Sequence, residues 1–178
     1  LWQEFSGEDS TVVLYNLKTS EKKVLPIDSF DPFRSLVIVG GFVAWNKIRT
    51  DKSEADTINI LRLDDNKEES LTFPSDINIL QLQGNHNKLF WAELSKKNPD
   101  NPMIYMYDLV TKKKTLLMDD ADDWAWDAGI SEHTLVNSFN GKEGRGIYTY
   151  TVKDQTTRKL LDEESFGLVF AIDNSRII

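Results

Sequence analysis

The segment IYMYDL, Ile104 to Leu109, is one of four versions of the same short pattern. INILRL stands 46 residues earlier at Ile58 to Leu63, and VVLYNL another 46 earlier at Val12 to Leu17. IYTYTV follows 43 residues later at Ile147 to Val152. In all four, apolar residues alternate with polar or aromatic ones, the period-two signature of a half-buried strand. Each is followed by a short polar turn and a second strand reaching Leu25, Leu71, Leu117 or Leu160, and these leucines keep the same spacings. Two anchors that hold their spacing through four copies point to an internal repeat.

Working upstream from each pair, a further strand reads FVAW (Phe42 to Trp45), LFW (Leu89 to Trp91) and LVN (Leu135 to Asn137). In the first copy Trp2 precedes Val12 by the interval that separates Asn137 from Ile147, so Leu1 and Trp2 belong to this strand. Before it comes another: LVIV (Leu36 to Val39), INILQL (Ile77 to Leu82), WAWDAGI (Trp124 to Ile130) and a last copy, FGLVFAI (Phe166 to Ile172). Named in order, the unit is a, b, c, d. The a–b turns carry Gly40-Gly41, Gly84-Asn85, Ser131-Glu132 and Asp173-Asn174, the residue types that turns select. No stretch keeps a helical apolar period over three turns.

One such sheet cannot bury both its faces. Radial stacking of units does, so the spacing predicts an all-β chain, a β-propeller of four-stranded antiparallel blades with four repeat units. A β-sandwich is the alternative, but it requires no fixed period. The units run at about 1–30, 31–74, 75–120 and 121–163, with 164–178 supplying the first strand of an incomplete blade. The chain begins at Leu1 inside a strand and reads as a piece of a longer protein. Strand 166–172 is expected to pair with 1–5 of the same chain, closing a ring, or with a second copy, giving a homodimer through open blade edges; a fragment with both edges open is the third arrangement.

Composition narrows the function classes. The net charge of −8 disfavours a nucleic-acid partner, because phosphate contacts require clustered Lys and Arg. No apolar run approaches a membrane span. There is no Cys, hence no disulfide, thiolate nucleophile or thiolate metal site. The only histidines, His86 and His133, lie at or near a–b turns and read as solvated turn residues. No nucleophile elbow occurs, and GKEGRG at Gly141 to Gly146 precedes no helix. No catalytic residue and no bound cofactor are expected.

MIYMYDLVTKKKTLLM, Met103 to Met118, resembles the c–d hairpin of TolB-like propellers: an apolar strand, Tyr-Asp-Leu, a Thr-containing turn and a Leu-ending strand. GNHNKLFW, SEHTLV and DNSRII resemble the a–b hairpins of that family, without its usual Pro-Asp-Gly turns. The resemblance implies the propeller fold. It also implies a periplasmic, cell-surface or secreted setting, and a fold that elsewhere accompanies peptidase domains; function does not travel with fold.

The loops sort by face. The d–a loops (26–34, 73–78, 118–124, 161–166) hold ten acidic residues and one base, Arg34. Their aromatics, Phe30, Phe33, Trp124 and Phe166, stand near the start of strand a. Asp119, Asp120, Asp122, Asp123, Trp124, Phe166 and Phe33 are therefore the candidate ligand-binding residues, suited to a basic protein or peptide or to a carbohydrate. The four aspartates also invite calcium, although the EF-hand spacing is absent. The c–d turns are basic in three copies (Lys18, Lys22, Lys23; Lys112, Lys113, Lys114; Lys153, Arg158, Lys159) and acidic in one (Asp64, Asp65, Glu68, Glu69). The expectation is a non-catalytic interaction scaffold of a bacterial envelope or exported protein. An accessory propeller of a peptidase or hydrolase, or a carbohydrate-binding propeller, is the alternative.

Overall fold

The computed structural model of the chain describes residues 2–6, 9–27, 36–47, 55–118, 129–130, 134–141, 144–162, 172–173 and 176–177. Among them there is no helix. Seventeen strands form five antiparallel sheets, each a meander of consecutive strands. The first joins β1 (Trp2–Ser6), β2 (Asp9–Tyr15) and β3 (Lys22–Leu25). The second joins β4 (Leu36–Val39), β5 (Phe42–Asn46), β6 (Thr57–Arg62) and β7 (Glu68–Thr72). The third joins β8 (Ile77–Asn85), β9 (Lys88–Ser95), β10 (Asn98–Asp108) and β11 (Lys114–Met118). The fourth joins β12 (Gly129–Ile130), β13 (Thr134–Gly141), β14 (Gly144–Thr151) and β15 (Thr156–Asp162). β16 (Ile172–Asp173) and β17 (Arg176–Ile177) make a hairpin.

The ladders place Trp2 opposite Val13, Trp45 opposite Asn59, Trp91 opposite Tyr105 and Asn137 opposite Tyr148, so the b–c pairing keeps one register through four sheets. The c–d pairing does not. Val12 faces Leu25 and Ile58 faces Leu71, but Ile104 faces Met118 and Ile147 faces Leu161. An extra residue, Leu117 or Leu160, is accommodated in a bulge of the outer strand.

Alternation along each strand sends one set of side chains to each neighbouring sheet. Val43, Trp45 and Leu61 meet Val12 and Leu25 of the first sheet and Ile27 just beyond it. On the opposite face of the same sheet, Ala44, Ile58 and Ile60 meet Ile79, Leu82, Leu89, Trp91 and Tyr107 of the third. The other face of the third, with Phe90, Ala92, Ile104 and Leu117, meets Leu135 and Tyr150 of the fourth. Both faces of the second and third sheets are thus buried, the packing that a single unit lacks. Ile60 is fully enclosed, while its repeat counterparts Leu14 and Met106 are half-buried at the rims of their clusters.

The first strands of adjacent sheets lie against each other, β4 against β8 and β8 against β12. Glycine is needed here twice: Gly40 has φ +51° and a Cβ on it would stand 2.1 Å from the carbonyl oxygen of His86, and a Cβ on Gly84 of β8 would stand 2.9 Å from the Cβ of Val39 in β4. His86, the repeat counterpart of Gly40, takes φ +55° at the tip of the next a–b turn. Among the described residues β16 and β17 pair only with each other and β1 pairs only with β2, so no ladder closes a ring.

Candidate ligand cleft between the second and third sheets

The c–d hairpins are built alike. Asn16 N–H donates to Glu21 O at 2.9 Å, Arg62 N–H to Lys67 O at 2.9 Å and Asp108 N–H to Lys113 O at 3.0 Å. Each turn ends in a residue of left-handed conformation: Ser20 (φ +58°), Asn66 (+55°), Lys112 (+58°) and Gln155 (+52°). In the third copy Asp108 accepts from Val110 N–H at 2.9 Å and Thr111 N–H at 2.8 Å. These two bonds, that of Thr111 foremost, hold the Asp108 carboxyl below the usual carboxylate range. Asn16 plays the same part in the first copy. In the second, Arg62 takes that position and binds Asp65 with its Nε at 3.0 Å and its guanidinium NH2 at 2.8 Å.

These hydrogen-bonded turns bring side chains of neighbouring sheets together. Lys23 of β3 reaches across to Asn66 Oδ1 (2.8 Å) and the Leu63 carbonyl (3.3 Å) of the next turn. One repeat on, Glu69 of β7 takes the place of Lys23 and Lys112 that of Asn66, and the two form an ion pair. Lys112 Nζ also lies 5.8 Å from the centroid of the Phe42 ring. The acidic second turn is therefore matched to its basic neighbours.

Beneath the Lys112–Glu69 pair is a cleft of about 420 Å³, lined by Phe42, Ile60, Leu109 and Val110 and by Arg62, Lys67, Glu69 and Lys112. Ile60 and Leu109 belong to the core and fix its floor, while Val110 is 68% exposed at the rim. Arg62 is engaged with Asp64 and Asp65 and Lys112 with Glu69. Lys67 has no carboxylate partner among the described residues. The cleft has the size of a small-molecule site, an apolar base and a few charged groups at its mouth.

A second cluster lies on the same side of the third sheet. Glu93, buried in β9, accepts from Trp91 Nε1 at 2.9 Å and pairs with Lys114. The Lys114 ammonium sits 3.9 Å from the Tyr105 ring centroid, 5.4 Å from Phe73 and 5.7 Å from Trp91. Rings and carboxylate together form a cation cage filled by the chain itself. Burial, and secondarily the Glu93 charge, pushes the Tyr105 phenol up.

The residues singled out in the sequence fare differently. Asp119, Asp120, Asp122, Asp123, Trp124, Phe166 and Phe33 lie outside the described residues, as do Phe30, Trp126 and His133. His86 is exposed at its turn. Of the acids counted in the d–a loops two are described: Asp162, which is the last residue of β15, and Asp76. The Asp76 carboxylate is held low by a 3.0 Å contact with Lys97, and Lys96 Nζ bonds the Ser75 carbonyl at 2.6 Å. Both lysines come from a b–c turn, which supplies to that face bases that a tally of d–a loops alone leaves out. The cleft residues were missed. Their signal was present: Glu68 and Glu69 stand one repeat from Lys114 and Thr115, and Asn66 one repeat from Lys112, so turn charges had to be compared between adjacent copies.

No protein-family model and no curated protein matches the sequence. Solved structures do. An oligogalacturonate lyase in complex with manganese is 15% identical with a TM-score of 0.62, covering 90% of this chain and 44% of its own. TolB from Acinetobacter baumannii is 17% identical with a TM-score of 0.60, covering 92% of this chain and 40% of its own. The AtxE2 isopeptidase with astexin3-dC4 bound is 15% identical with a TM-score of 0.56, covering 89% of this chain and 26% of its own. At these identities the likeness is one of fold: the chain has a TolB-like β-propeller fold and spans less than half the length of each of these proteins.

Proposed function

We propose that this chain is a non-catalytic propeller domain that works as an interaction scaffold in an exported or cell-envelope protein of a bacterium. The resemblance of its hairpins to TolB-like repeats supports that setting. The observation that carries the binding role is the cleft between the second and third sheets, about 420 Å³, with charged side chains of hydrogen-bonded turns arranged over an apolar floor. The acidic d–a loops, with Asp119, Asp120, Asp122, Asp123, Trp124, Phe166 and Phe33, are a second surface, for a basic peptide or a carbohydrate. Two copies joined through blade edges would complete a wider ring, and the solution mass of the chain tests that.

The binding role is tested by titrating the isotope-labelled chain with peptide and oligosaccharide mixtures and following backbone amide shifts. Changes gathered at Phe42, Arg62, Lys67, Val110 and Lys112 support the cleft. Changes confined to the d–a loops move the ligand to the second surface, and chemical turnover of any component overturns the non-catalytic reading. An accessory role beside a hydrolase domain is the rival, since an isopeptidase carries a similar fold over 26% of its length.

A further inference from the structure

The geometry points to a small organic anion, a carboxylate on a flat apolar body, as the ligand of this cleft; the inference rests on the cleft being a binding site. Of the four charged residues that line it, three are cations and one is an anion. The anion, Glu69, is already paired with Lys112, and Arg62 is paired with the aspartates of its own turn. That leaves the Lys67 ammonium without a counter-charge among the described residues. An arriving carboxylate meets Lys67 first and can share the outward N–H groups of Arg62 or Lys112. A cationic ligand meets the uncompensated Lys67 and, to reach Glu69, must displace Lys112.

The apolar half of the ligand is set by the floor and the apolar part of the rim. Phe42, Ile60, Leu109 and Val110 offer an aromatic ring and three branched side chains with no hydrogen-bonding group. A ligand body resting there gains by leaving water, about 25 cal/mol per Å² covered. Phe42 also carries the Lys112 ammonium over its ring. A planar ligand can extend that stack, with its carboxylate directed to the turn of β6 and β7. The cleft volume admits a body of one or two fused rings.

The test uses the 178-residue chain and three probes of one shape: 2-naphthoate, 2-naphthamide and 2-naphthylmethylammonium. Amide shifts at Phe42, Lys67 and Val110 report where each binds, and their titration reports the affinity. The naphthoate is expected to bind there most tightly. Lys67→Gln, an exposed change that leaves the core untouched, should weaken it by about threefold, the size of one exposed charge contact. The same substitution should leave the naphthamide unaffected. Equal binding of acid and amide at these residues, or preference for the ammonium, keeps the cleft as a site and overturns the anion. Absence of shifts at these residues with all three probes at millimolar concentration overturns both the anion and the cleft.

Discussion

Glu69 and Lys112 form an ion pair at the two repeat positions where, one sheet earlier, Lys23 and Asn66 form a hydrogen bond. The cationic partner has moved from the strand to the turn. The contact between neighbouring sheets survives the exchange because both residues keep their backbone positions, Asn66 and Lys112 with nearly the same positive φ. Side chains of the pair are 44% and 39% exposed, so the energy is that of a surface bridge. In a double-mutant cycle, Lys112→Gln with Glu69→Gln should show a coupling of about 0.5 kcal/mol, falling with added salt. Urea midpoints of the four proteins measure it, and additive single effects would contradict the pairing.

The Glu93 cage should respond much more strongly, because the carboxylate is buried. Glu93→Ala removes the acceptor of both the Trp91 indole and the Lys114 ammonium, and about 3 kcal/mol of stability should go with it. Glu93→Gln keeps a carbonyl for the indole, and its loss should be about 1–2 kcal/mol. Denaturant unfolding gives the order, and a Gln variant as weak as the Ala variant would mean that the charge, not the indole bond, holds the cage.

Ser20 and Gln155 hold left-handed conformations without being glycine. That conformation costs an ordinary residue about 1–2 kcal/mol relative to glycine, and glycine returns part of the gain through its freer unfolded chain. Ser20→Gly and Gln155→Gly should each stabilise the chain, by up to about 1 kcal/mol. A fall in thermal midpoint for both would show that their side chains contribute more than the turn geometry.

Asp108 links the third hairpin to pH. Its carboxyl lies below the ordinary range in the folded chain, so it contributes stability above the unfolded-state pKa. That contribution disappears as pH falls through the folded-state pKa. Asp108→Asn keeps an acceptor for Thr111 and Val110 but has no proton to take up. Its stability should fall less steeply than that of the parent as pH falls below about 5. Parallel acid limbs for the two proteins would remove Asp108 from the linkage.

The acidic loops have a separate test. A labelled lysine-rich peptide is expected to bind the parent chain more weakly as salt rises towards ~0.15 M, where charges reach only about 8 Å. Joint replacement of Asp119, Asp120, Asp122 and Asp123 by Asn should abolish that salt dependence. On a glycan array, Trp124→Ala should lose signal if the same loops take a sugar. Indifference to both changes would leave the aspartates with a solubility role alone.

Much of the fold was legible because sheet packing writes itself into the chain as alternation. Val43 and Trp45 face one neighbour and Ala44 the other, and the same parity recurs at Leu89, Phe90 and Trp91. The repeat spacing then sets the sheet count. The bulges at Leu117 and Leu160 were not legible, since an extra residue in an outer strand leaves the leucine spacing unchanged. Nor was the cleft. Its residues come from β5, β6, the turn after it, β7 and the turn before β11, and nothing in any one segment marks them. Glu93 was hidden differently: an acid in an apolar strand reads as an outward position until Lys114, 21 residues on, is seen to lie against it.

The recurring turn conformation at Ser20, Asn66, Lys112 and Gln155 is what a duplicated unit leaves behind after its residues have diverged. The shape was inherited while the chemistry specialised by neighbour. The second and third units are consequently modular in backbone yet no longer interchangeable. Were their order reversed by gene rearrangement, each would still fold into the same meander. Glu69 would then face the turn of the fourth unit, Lys112 would face Lys23, and the seam that now attracts would meet lysine with lysine.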